Sequence, residues 1–369
     1  MYALNDVSLQ LLLVILFGYT ISLVISYKVI RTWLVFLVVS IRFGFLIYYI
    51  YFGDHIYLKD DLIYYQNALM FLDKYSVLEL FSNSDSIAYA MQLSGGKHIS
   101  YMIYGSFFID LFYESYFTPI VFNVVLSIFS GVILYSLARL AEFPRNYSVG
   151  LSLFFTLAPA VFVWSSYFNI KESLLVFLVL LSFYLFSSFI ANKRRMSIFA
   201  LSIVIFLLLF TRFYILLPIF FAMAFHFVKL NLRNFFYFLC FLVFVVFVAY
   251  FLNLPWHLLQ LGGVFSGVSR FLLTPQPWTI VSEYKFLLIP SIVNWLLFIP
   301  MVLGIILLWL SNRRFVRSYI VFALLLIGLY GVFPELQGPR HRFVIYFVLS
   351  WAQFHTIYYV LKRITARSL

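Results

Sequence analysis

Long apolar runs alternate with short polar breaks along this chain. Stretches near 8–27, 33–52, 118–138, 148–166, 171–191, 197–211, 213–228, 234–252, 286–310, 319–334 and 343–361 approach the roughly 20 apolar residues that a helix needs to cross a hydrocarbon core. Within a bilayer the backbone must satisfy its own hydrogen bonds, which leaves helices and closed barrels. Runs of this length without two-residue alternation predict helices. The pattern therefore predicts an all-α, polytopic transmembrane bundle of about eleven spans, organised as a single membrane domain over residues 1–369.

Two segments break the rhythm. Residues 53–117 contain "DLIYYQNALMFL" and "ISYMIYGSFFIDLFY", whose mixture of Tyr, Phe and polar residues predicts amphipathic helices lying at headgroup level. Residues 253–285 contain "LGGVFSGVSRFLLTPQPW", where glycines and prolines predict irregular backbone of a kind tolerated at membrane depth only when protein or water covers it.

Composition sharpens the class. Of 369 residues, 64% are hydrophobic and 10% charged, with a mean hydropathy of +1.02, too apolar for a soluble domain. The net charge of +12 does not indicate nucleic acid, because the Lys and Arg are scattered between spans rather than clustered on one soluble face. The single cysteine, Cys240, excludes a disulfide framework or a Cys-based metal site within one chain. "MYALNDVSL" has no basic n-region, so the first apolar run is read as a retained span.

Charge between the spans predicts orientation. Lys28 and Arg31, Arg139 and Arg145, Lys193 to Arg195, Lys229 and Arg233, Arg313, Arg314 and Arg317, and Lys362, Arg363 and Arg367 occupy alternate loops and make up 15 of the 25 basic residues. The positive-inside bias makes that face cytoplasmic. The N-terminus is then outside, the C-terminus cytoplasmic, and 53–117 and 253–285 extracytoplasmic. This parity requires 197–228 to cross twice.

The charges that orientation leaves unexplained are Asp60, Asp61, Lys171, Glu172, Arg212, Arg270, Glu335, Arg340, His341 and Arg342. Several stand at span ends in apolar sequence, where ionisable groups are expensive. Asp60 and Asp61 suit the first turn of a helix; a carboxylate there serves equally as a general base for a hydroxyl or as a ligand for a divalent cation. Lys171 has the wrong sign for a helix N-terminus and asks for an anionic partner, whereas Glu172 beside it has the right one. Arg212 interrupts two apolar runs, and Arg340, His341 and Arg342 share one turn with Gly338 and Pro339. Arginine's planar fork suits phosphate. One acidic motif and several cations on one face predict deprotonation of a hydroxyl and retention of an anionic leaving group, the chemistry of sugar transfer from a lipid phosphate.

The order of these features resembles the GT-C superfamily of integral-membrane glycosyltransferases. "DDLIYYQNA", with Asp60, Tyr64 and Ala68 at four-residue steps, resembles its acidic loop motif. "LAPAVFVWSSYFNIKESLLVFL" resembles its proline-terminated span and outer turn with a Lys-acid pair, and "GPRHRF" its C-terminal basic motif. The resemblance implies a polyprenyl-phosphate-linked sugar as donor, a lipid-linked or surface glycan as acceptor, inversion at the anomeric carbon and a bacterial cytoplasmic membrane. It gives Asp60 the role of base or metal ligand and sets Lys171, Arg212, Arg340 and Arg342 around the lipid phosphate, with Glu172 and His341 beside them as substrate-binding candidates; Asp61, about 100° round the same helix in "KDDLIYYQNA", is expected to cap it or to assist a metal. Trp164 and Trp278 are expected at the membrane interface or against sugar or prenyl chain. A polysaccharide repeat-unit polymerase of the Wzy or EpsG type, relying on arginines, and a lipid-linked sugar transporter remain as alternatives.

Overall fold

The computed structural model describes residues 8–96, 98–227, 263–333 and 338–367. Cys240, Glu335 and the run 234–252 lie outside the described residues. Those described are helical, with no strand among them. Among the described residues, seven helices are by length and composition able to cross a membrane, or up to nine if each of two bent pairs is one span.

The first helices are α1 (Leu9–Ile30) and α2 (Leu34–Phe52), joined by a turn in which Arg31 adopts left-handed backbone. Residues 53–117 then supply α3 (Lys59–Leu72), α4 (Ser84–Ser94) and α5 (Ile99–Leu111), as the amphipathic pattern predicts. Next come α6 (Thr118–Leu140), α7 (Arg145–Thr156) and α8 (Pro159–Ser166). Pro159 cannot donate to a helical ladder and forces Ala158 into extended backbone, so α7 and α8 meet at a 51° bend. Helix α9 (Glu172–Asn192) packs along α6. Helix α6 lies at the centre, its apolar window 72% buried, whereas α1 at 33% faces outward.

The next run contains α10 (Arg195–Arg212), a 3₁₀ turn over Phe213–Ile215, and α11 (Leu216–Phe225). Length alone admits Arg195–Phe225 as one candidate span. The contacts show that the chain turns back within it. Arg212 bonds Glu172 at the start of α9, yet His226 lies against Phe186, 14 positions further along α9, or about 21 Å at 1.5 Å per residue. Since α10 leaves from the far end of α9 after a two-residue link, it runs towards Glu172 and α11 runs away from it. Arg212 itself leaves helical geometry, with φ −159° and ψ 85°, at the reversal.

The remaining described helices are α12 (Val264–Leu273), α13 (Leu288–Leu296), α14 (Phe298–Leu310), α15 (Arg314–Val332), the single turn α16 (Pro339–Arg342) and α17 (Tyr346–Arg367). The bend of 52° between α13 and α14 lies just before Pro300, whose ring disturbs the preceding helical turn. Helices α14 and α17 approach closely at Gly304, where any Cβ would collide with the Ala352 carbonyl group.

The basic loops gather at one end of this bundle. Arg145 donates to the carbonyls of Ile30 and Arg31 at 3.2 and 3.0 Å, and Arg313 donates to that of Ala141. The other end carries Asp60, Lys171, Glu172, Arg212 and Arg340.

Candidate active site

Four separate parts of the chain meet at that second end. Glu172 opens α9, Arg212 closes α10, Arg340 lies in α16 and Asp60 in the first turn of α3. Glu172 is wholly buried, and its Oε1 accepts from Arg212 Nη2 at 3.0 Å and from Arg340 Nε at 2.6 Å. Arg340 Nη1 reaches outward to Asp60 Oδ2 at 2.6 Å. The Asp60 side chain is 54% exposed and Arg340's 17%, so the chain of ion pairs runs from a buried acid to an acid at the surface.

Asp60, Arg212 and Arg340 wall a cavity of about 600 Å³, together with Tyr64, Asn67, His98, Lys171, Thr211, Tyr214 and His341, with Glu172 buried behind the two arginines. Lys171 Nζ lies 2.9 and 2.8 Å from Nδ1 and Nε2 of His98. Nδ1 also lies 3.3 Å from the Thr211 carbonyl oxygen, which only accepts. The proton therefore belongs on Nδ1, leaving Nε2 to accept from the lysine. Burial, followed by the Lys171 charge, pulls His98 down to about 4, which keeps the ring neutral. Burial likewise pulls the Lys171 ammonium down to about 7; Glu172 opposes this shift while Arg212 and Arg340 reinforce it. The Tyr64 ring lies 5.6 Å from Lys171 Nζ.

A buried amide network holds the turn that presents Lys171 and Glu172. Asn123, inside α6, directs its Nδ2 to the carbonyls of Phe168 and Ile170 at 3.4 and 3.3 Å and to Tyr101 Oη at 3.1 Å. Tyr101 in turn donates to Asn169 Oδ1 at 2.6 Å, and Tyr104 to Asn123 Oδ1 at 3.2 Å. Since unpaired polar groups at this depth are costly, the satisfied network favours one conformation of the turn.

Three buried polar atoms around the cavity have no hydrogen-bond partner among the described residues: Glu172 Oε2, Arg212 Nη1 and His341 Nδ1. With Lys171 protonated, three cations against two carboxylates leave one positive charge over. A cavity lined by an ammonium and two guanidinium groups suits an anion. The donor set does not fit a divalent cation. Both carboxylates are paired with arginines, and no group of three or more His, Cys, Asp or Glu side chains converges among the described residues.

The structure thus brings Asp60, Lys171, Glu172, Arg212, Arg340 and His341 together. Asp61 and Arg342 lie elsewhere. Asp61 is buried, and its Oδ2 accepts from the Leu58 backbone at 3.0 Å and from Tyr116 Oη at 2.9 Å, securing the start of α3. Burial, partly offset by these bonds, raises its carboxyl to about 6. Arg342 donates to the carbonyls of Phe271 and Leu272, where a cation suits the end of α12. Trp164 is buried beside Phe168, while Trp278 is exposed and leans on Trp295 at 5.0 Å. Arg270 is exposed. Sequence reasoning missed His98, within "SGGKHIS", and Asn123. The signal for Asn123 was a lone amide in an apolar run.

Compared with protein-family models, curated proteins and solved structures, the chain finds no match.

Proposed function

We propose that this chain is a membrane glycosyltransferase that moves a sugar from a polyprenyl-phosphate donor to a hydroxyl of a lipid-linked or surface glycan acceptor, with inversion. The observation that carries the reading is a cavity walled by Lys171, Arg212 and Arg340 with the half-exposed Asp60 beside it. Lys171, Arg212 and Arg340 take the donor phosphate. An acceptor oxygen attacks the anomeric carbon, the bond from that carbon to the phosphate oxygen breaks with its electron pair passing to the phosphate, and the acceptor proton passes to Asp60. Phosphate binding draws Arg340 Nη1 from Asp60, so the base becomes free as the donor arrives. With the basic loops at the opposite end, the positive-inside bias makes the site extracytoplasmic.

The experiment is Asp60→Asn in purified protein supplied with lipid-linked sugar. Loss of transfer at normal protein level is expected, with activity retained in Asp61→Asn, whose amide oxygen still accepts from Leu58 and Tyr116. One observation favours the repeat-unit polymerase: Asp60 is already engaged by Arg340. Wild-type turnover by Asp60→Asn together with an inactive Arg340→Ala would replace the transferase with that reading.

A further inference from the structure

Arg340 belongs to two cavities of opposite character. Beyond the cationic one lies a second, of about 310 Å³, walled by Leu58, Trp164, Ile280, Val281, Tyr284 and Phe286 among others. Arg340 is the only charged side chain among the described residues that line it. Much of this wall comes from the stretch between α12 and α13, the Pro-rich part of the second loop segment. Such a wall offers little to a sugar hydroxyl or to a second anion. It suits hydrocarbon.

The position of Arg340 restricts what that hydrocarbon belongs to. Its Nε is fixed on the wholly buried Glu172, while its Nη1 holds only the half-exposed Asp60. A phosphate that replaces Asp60 there also reaches the cavity containing Arg212 and Lys171. An ester chain leaving the same phosphate on the other side of the guanidinium meets the apolar wall. We infer that the second cavity takes the first part of the hydrocarbon chain of a single-chain phosphate ester whose headgroup is bound in the first. This rests on the reading of the first cavity as a phosphate site, but not on sugar transfer.

The volume makes the proposal quantitative in form. Each methylene moved from water to an apolar wall tightens binding roughly fourfold, and the gain must stop once the cavity is full. The probes are inorganic phosphate and then ethyl, butyl and hexyl phosphate, titrated into the full chain in nanodiscs, with empty nanodiscs as the partition control. Affinity is expected to climb along the series. In Ile280→Asn the climb is expected to flatten while affinity for inorganic phosphate stays unchanged. Val281→Asn, at an exposed wall position, serves if the first variant does not fold.

Equal affinity along the wild-type series, or parallel loss of inorganic and hexyl phosphate in both variants, would overturn the inference. So would two-chain phosphatidic acid in the nanodisc displacing hexyl phosphate, which would make the cavity a seat for bulk bilayer lipid. Chain-length dependence without glycosyl transfer leaves the inference standing and removes the transferase reading; transfer without chain-length dependence does the reverse.

Discussion

Glu172→Gln is the most informative single change, because one buried oxygen holds two arginines. The substitution keeps the shape of the side chain and removes its charge. Arg212 suffers most: its side chain is 5% exposed, and Glu172 is the only carboxylate paired with it among the described residues, whereas Arg340 keeps Asp60. Removing one partner of a buried pair typically costs about 3–5 kcal/mol, because the other charge stays buried without compensation. The variant should therefore melt several degrees below wild type in detergent. Added phosphate should recover part of the difference, since an anion that binds only the folded state stabilises it by about 2.7 kcal/mol at a hundredfold excess over Kd. The recovery should be larger in Glu172→Gln than in wild type, where the carboxylate competes for the arginines. A variant that melts with wild type, or equal stabilisation of both by phosphate, would refute the view that Glu172 organises these cations.

Anion affinity should follow the protonation of Lys171, held at about 7: it is charged below that pH and neutral above it. Sulfate, whose charge is constant over this range, should bind fully below pH 7 and more weakly as pH rises towards 9; Lys171→Arg should abolish the dependence. Gly304→Ala should destabilise the fold by about 1–3 kcal/mol by overpacking α14 against α17. Gly328→Ala, where a Cβ has open space, should not, and thermal melts of the two compare them directly.

Much of the site was legible because membrane sequence makes charge conspicuous. Glu172, Arg212 and Arg340 stand out of apolar surroundings at span ends, and their costs are met by one another and by Asp60. The grouping of Arg340 with Arg342 misled for a geometric reason: two positions along a helix turn about 200°, so one guanidinium faces the cavity and the other faces α12. Asp60 and Asp61 diverge similarly by one position, which the helical reading of "KDDLIYYQNA" anticipated. His98 carried no signal, because a histidine beside glycines reads as loop until the Thr211 carbonyl and Lys171 are brought to it from distant sequence. Hydropathy likewise could not say whether 195–225 is one rod or a hairpin. The partners of Arg212 and His226 decide it, and they belong to tertiary structure.

The separation of these partners along the chain also sets an order of assembly. A chain is made from its N-terminus, so Glu172 is inserted before either cation that neutralises it. Arg212 follows 40 residues later, soon enough to settle the acid as a neighbouring helix. Arg340 follows 168 residues after Glu172 and 280 after Asp60. A nascent or truncated chain that stops before α16 carries an acid neutralised by Arg212 and an Asp60 without its arginine. The arrival of the α16 turn therefore closes the cavity, and binding is conferred only once the chain has been made that far.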